Sequence, residues 1–151
     1  MGPDDEINQV IVKMGYVLAT PRVQHSSFYK LIDGTIIKVV MLLNFLIPIP
    51  PKPDDYDVNT TNIVSSFVPS EKRRPELFAP TPNPQFDKDI VDDDVEFEVI
   101  KENFSVYDLT NGLVVSIKPV LGQVRKTKYY SVQGEPIYLT NVSPIVKFKK
   151  G

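Results

Sequence analysis

Two stretches of this chain, SFYKLIDGTIIKV at 27–39 and SVYDLTNGLVVSI at 105–117, carry nearly the same pattern. Each runs Ser-x-Tyr-x-Leu into an Asx-Gly pair and then into β-branched residues. Asp33-Gly34 and Asn111-Gly112 tolerate the positive φ angles of a tight turn whose twist suits the strands on either side, so each stretch reads as a β-hairpin. Aligning Tyr29 with Tyr107 also sets Ser27 on Ser105, Leu31 on Leu109, Ile37 on Val115 and Val39 on Ile117. Two accounts fit: convergence of any two hairpins on one turn chemistry, or two related halves.

The rest of the chain follows the same grammar, with short runs of Val, Ile, Tyr, Phe and Thr between Gly, Asn, Asp and Pro, and little helical spacing. Expected strands lie at 9–19 (broken near Gly15), 24–31, 35–47, 62–68, 95–101, 104–109, 113–124, 128–132, 136–140 and 145–149. QGEP, 133–136, predicts a third hairpin with a longer loop. The expected fold is mostly β, a barrel or a two-sheet sandwich built from hairpins. It forms a single domain over 1–151, with half-repeats near 9–47 and 95–124 and a Pro-rich excursion near 48–94. Fourteen prolines, concentrated in that excursion, keep it out of the sheet centre.

Composition narrows the chemistry. With no cysteine, disulfides, thiolate metal sites and a cysteine nucleophile are excluded, and an intracellular, cytoplasmic setting is the expectation. His25 is the only histidine, and on a strand it and Ser26 point to opposite faces, which argues against a catalytic dyad. The acidic run DKDIVDDDVEFE, 87–98, lacks the glycine and ligand spacing of a calcium loop and reads as a solvated approach to a strand. The seven glycines show no phosphate-cradling spacing. No catalytic residue, metal ligand or cofactor is therefore expected. The longest apolar run, VVMLLNFLIPIPP, is interrupted by Asn44 and prolines and falls short of the roughly 20 residues that span a bilayer.

Two surfaces stand out. The strand around 35–47 is apolar on both faces, so Val40, Leu42 and Phe45 are left wanting a cover, and a protein partner or a second copy is the expected occupant. In the C-terminal third, Arg125, Lys126, Lys128, Lys147 and Lys149 interleave with Tyr129, Tyr130 and Tyr138. Cations around stacking rings on a β surface are a way of gripping single-stranded nucleic acid. Leu31-x-Asp33-Gly34 followed by Ile36 and Ile37 resembles the opening strands of Sm-like RNA-binding barrels. The resemblance is confined to that hairpin: the Arg-Gly turn expected later is absent from GEPIYLTNVSPIV, and no family is assigned. The expected function is a non-catalytic binding or assembly module acting through protein contact or self-association, with RNA or single-stranded DNA binding as the alternative.

Overall fold

The computed structural model describes residues 2–52 and 54–151. Helix α1 (Pro3–Lys13) is followed by strands β1 (Val17–Val23), β2 (Ser27–Leu31), β3 (Ile36–Pro48) and β4 (Tyr56–Phe67). After two short 3-10 turns, Ser70–Lys72 and Pro75–Leu77, come β5 (Ile90–Asp92), β6 (Phe97–Lys101), β7 (Ser105–Leu109), β8 (Leu113–Tyr130) and β9 (Pro136–Lys150). All pairings are antiparallel and join the nine strands into one sheet. The fold is all-β. Among the described residues no helix is long and apolar enough to cross a membrane.

Where a strand is expected over 9–19, the chain instead forms α1 and then β1. The run Val10-Ile11-Val12 has strand-like composition, but Asp4, Asp5 and Glu6 fill the first helical turn and Lys13 the last, matching the helix dipole. Asp5 also accepts the Gly2 N–H at 3.2 Å, and Gly15 at φ +104° ends the helix. Strand β2 starts only at Ser27, because Gln24 and His25 leave the ladder: the Ser105 hydroxyl accepts the His25 N–H at 2.9 Å and a hydrogen bond from the Gln24 amide at 3.2 Å. Strand β4 reaches back to Tyr56, well inside the expected excursion. Residues 128–130 continue β8, and the two segments expected at 136–140 and 145–149 form one strand, β9.

The shared hairpin phrase sits inside a much longer repeat of register. Equivalent residues lie 78 positions apart (107 less 29 for the tyrosines). In the first hairpin Ser27, Tyr29 and Lys30 face Val39, Ile37 and Ile36; in the second Ser105, Tyr107 and Asp108 face Ile117, Val115 and Val114. The flanking strands match as well: Phe97 opposes Leu31 as Ala19 opposes Leu109, and Glu98 opposes Lys30 as Thr20 opposes Asp108. The long partners β4 and β9 follow with an offset of 82 (146 less 64): Val64 opposes Val39 as Val146 opposes Ile117. Even the bulges coincide, Asn44 between Leu43 and Phe45 in β3, Gly122 between Leu121 and Gln123 in β8.

The two halves exchange their leading strands. β1 begins beside β3 of its own half, where Val17 opposes Leu46, and then crosses to pair with β7 of the other. Correspondingly, Val95 donates its N–H to Val124 O of β8 at 2.9 Å, and β6 then crosses to pair with β2. Among the described residues β6 forms no ladder with β8, so the sheet stays open rather than closing as a barrel.

Packing obeys the same exchange. One core cluster sets Met41, Leu43 and Leu46 of β3 against Tyr107, Leu109, Val115 and Ile117; the other sets Leu121 and Val124 of β8 against Tyr29, Leu31, Ile37 and Val39. Each fully buried side chain of this kind contributes about 1.5–3 kcal/mol, and neither half can bury its own hairpin alone. Polar links cross in matching pairs. Tyr29 OH donates to Glu102 Oε2 at 2.6 Å, and Tyr107 OH donates to Gln24 Oε1. Tyr138 OH donates to Asp33 Oδ2 at 2.8 Å, while Asn111 Nδ2 donates to Tyr56 OH at 3.0 Å. Each Asx also accepts a backbone N–H two residues on, Thr35 at 2.9 Å and Leu113 at 3.1 Å, which fixes both turns.

Beyond Phe67 the excursion runs as a strap. Val68 is buried, Arg74 donates its N–H to Gly134 O at 2.9 Å, and Lys128 donates its N–H to Asp89 O at 2.9 Å. It ties the first half to the turn between β8 and β9.

Candidate functional site

Strand β3 places Ile37, Val39, Met41, Leu43 and Leu46 in the core, and alternation turns Ile36, Lys38, Val40 and Leu42 to the outer face. There Val40 stands opposite Ile63, Ile36 opposite Phe67, Leu42 opposite Thr61 and Lys38 opposite Ser65. Ile63 is 51% exposed and Phe67 55%. Val40 and Leu42 are thus brought together and half-buried, within a larger apolar row to which Ile36, Ile63 and Phe67 belong. Phe45 lies past the Asn44 bulge, where its ring meets Tyr16 edge-on at 5.2 Å. Sequence reasoning missed Ile63 and Phe67 as members of this face because their place depends on the β3–β4 register.

The second half keeps Val114, Val120 and Ile145 at the places of Ile36, Leu42 and Ile63 but carries lysines elsewhere on the same face. The equivalents of Val40, Ser65 and Phe67 are Lys118, Lys147 and Lys149. Phe104 lies under two of them, with the Lys118 ammonium 5.1 Å and the Lys147 ammonium 4.8 Å from its ring centroid. Glu102 Oε1 lies 3.5 Å from the Lys118 ammonium. This ridge of Lys118, Lys147, Lys149 and Phe104 includes only two of the eight residues expected to bind nucleic acid.

The other six gather at the far end of β8. Lys147 stands opposite Ser116 and Tyr138 opposite Lys126, ten residues apart along β8 (126 less 116), or roughly 33 Å at strand rise. Arg125 and Lys126 are half-buried. Lys128 lies 3.6 Å from Asp89, and Tyr130 stands opposite Pro136. Tyr129 donates to the Asp89 carboxylate and meets Phe86 edge-on at 5.2 Å, leaving its ring engaged within the protein. That bond raises the Tyr129 phenol and lowers the Asp89 carboxyl from their ordinary values. Tyr138 is pushed up first by burial and then by Asp33. Burial alone would raise Asp33, yet the Thr35 N–H and the Tyr138 hydroxyl hold it below the usual carboxylate range.

Within the acidic run, Asp89 is thus occupied by Tyr129 and Lys128, and Asp92 Oδ1 accepts the Asp94 N–H at 3.0 Å. Among the described residues no three His, Asp or Glu side chains converge as a metal site. Comparison with protein-family models, curated proteins and solved structures finds no match.

Proposed function

We propose that this chain is a non-catalytic assembly module whose contact surface is the outer face of β3 and β4. One observation carries the reading: at positions equivalent by register, one half presents Val40, Ser65 and Phe67 and the other Lys118, Lys147 and Lys149. The fold accepts lysine at the places of Val40 and Phe67, so these two members of the apolar row serve something other than the core. Burial of such a row drives association that resists salt. The test follows from the repeat itself. Val40→Lys installs the residue its counterpart already carries, so the thermal midpoint should stay within about 4 °C of wild type. Sedimentation should show a salt-resistant wild-type oligomer whose association Val40→Lys weakens roughly 30-fold, the loss of about 2 kcal/mol of apolar contact. An oligomer indifferent to Val40→Lys rules out this face.

The lysine ridge over Phe104 favours a second reading, binding of RNA or single-stranded DNA on the other half. Phosphate contacts make affinity fall linearly in log–log against salt, by about 0.7 per phosphate for single strands. Lys147→Glu should lower both affinity and slope; binding insensitive to Lys147→Glu excludes the ridge.

A further inference from the structure

We propose that the open edge of β4 pairs, antiparallel, with the β4 edge of a second copy of this chain. The inference deepens the assembly reading and rests on it. Among the described residues β4 pairs with β3 alone and β9 with β8 alone, so each half ends in a long strand with one free edge. An unprotected edge is a template for another strand, and proteins block such edges with proline and lysine. Strand β9 is blocked in this way by Pro144, Lys147, Lys149 and Lys150. Strand β4, YDVNTTNIVSSF, has neither proline nor cation and a single charge, Asp57, near its start.

The register identifies which backbone groups are free. Pro119 stands opposite Pro144, and two residues lacking N–H groups fit facing each other only at a non-hydrogen-bonded pair of an antiparallel ladder. The equivalent pair is Met41 and Asn62. Consistent with this, Met41 O accepts the Gln24 Nε2 hydrogen at 3.1 Å, and its counterpart Pro119 O accepts from Tyr29 OH at 3.3 Å. The Asn62 N–H and C=O therefore point away from β3, and by alternation so do those of Thr60, Val64 and Ser66. At the matching place on β9, Pro144 removes the donor that Asn62 leaves open.

The occupant is a second copy because the strand is complementary to itself. It is uncharged from Val58 to Phe67, so an antiparallel partner centred near Asn62 and Ile63 sets no like charges opposite each other. Such pairing is isologous and closes as a dimer. It also lays the two rows of Ile36, Val40, Leu42 and Ile63 side by side on one surface, doubling the docking face.

Asn62→Pro tests the pairing, since it transplants the residue that β9 carries and removes an outward N–H and an exposed carboxamide while the inward ladder bonds to β3 stay in place. Native mass and sedimentation should show wild-type dimers that associate further through the apolar face. Asn62→Pro should weaken the dimer about 100-fold as paired edge bonds are lost at both copies, while Val40→Lys should weaken only the association of dimers through the face, by the roughly 30-fold given above. Amide exchange supplies a second readout on unmodified protein: the Thr60, Asn62, Val64 and Ser66 amides should gain protection as concentration rises. Association abolished by Val40→Lys but not by Asn62→Pro overturns the edge pairing and leaves the face reading standing. The reverse result overturns the face as the site of self-association and supports the edge. Fast exchange of those four amides in an oligomeric sample overturns the edge pairing whether or not Asn62→Pro folds, and a wild-type monomer at ~100 μM, a concentration above typical homodimer constants, overturns both.

Discussion

Gly134→Ala is expected to cost about 2–4 kcal/mol of stability, whereas Gly112→Ala should cost only about 1 kcal/mol. Both glycines sit at positive φ, +82° and +85°, so the backbone strain of an added Cβ is common to the two. Their surroundings differ. A Cβ on Gly112 meets nothing within 4 Å, while one on Gly134 falls 2.2 Å from Pro75 N and 2.3 Å from Arg74 C. These are backbone atoms, so relief requires the strap to move off the turn and give up the Arg74 N–H to Gly134 O bond at 2.9 Å. Urea unfolding measures the difference between the variants. Limited trypsin digestion shows its cause: cleavage at the Arg73–Arg74 bond should accelerate in Gly134→Ala and not in Gly112→Ala. Equal stabilities would mean that the strap is not seated on this turn.

The contrast between these glycines shows which parts of the molecule local chemistry encodes. Asp33-Gly34 and Asn111-Gly112 specify their turns through φ tolerance and an Asx side-chain acceptor, both short-range effects, and so the hairpins and the all-β class could be read from residues alone. The double apolarity of β3 was equally legible, since alternation fixes which of Ile36 to Leu43 share a face. The length of the repeat was not. Outside the hairpins β4 and β9 keep Tyr56 with Tyr138, Asn59 with Asn141, Ile63 with Ile145 and Val64 with Val146. The offset changes from 78 in the hairpins to 82 in these strands, however, and pairs such as Thr20 with Glu98 and Asn62 with Pro144 share no side-chain character, so register is what joins the pieces. The crossing of β1 and β6 is also silent locally, because nothing in VLATPRV says which hairpin it will join. Helix α1 was misread for a different reason: acids complementing a helix dipole outweighed three β-branched or branched apolar residues in a row. The proposed nucleic-acid surface divided because sequence proximity of Tyr129 and Lys147 conceals the span of an extended strand.

Alkaline pH should unfold this protein steeply, and the slope should be traceable to two tyrosines. Tyr29 is fully buried, and its phenol is raised first by that burial and then by its hydrogen bond and proximity to Glu102. Tyr138 is raised first by burial and then by Asp33, to which its hydroxyl donates at 2.8 Å. Unfolding releases both to about 10, the value of a free phenol. A group whose pKa is higher when folded holds its proton more tightly in the native state; its contribution is complete below the unfolded value and is lost as pH climbs toward the folded one. Stability should thus be level from neutrality to about pH 9.5 and then fall by up to about 1.4 kcal/mol per pH unit for each of the two tyrosines. Tyr29→Phe and Tyr138→Phe should each remove one share of that slope, at the cost near neutrality of one lost hydrogen bond, about 1–2 kcal/mol. Phenolate absorbance separates mechanism from coincidence. Ionisation of these two rings should track the loss of near-ultraviolet circular dichroism, because the crossed links between halves can deprotonate only once the halves part. Two phenolates assigned to Tyr29 and Tyr138 in a still-native protein at pH 10 would show that these hydroxyls are not held, and with them the inter-half clamp would fall.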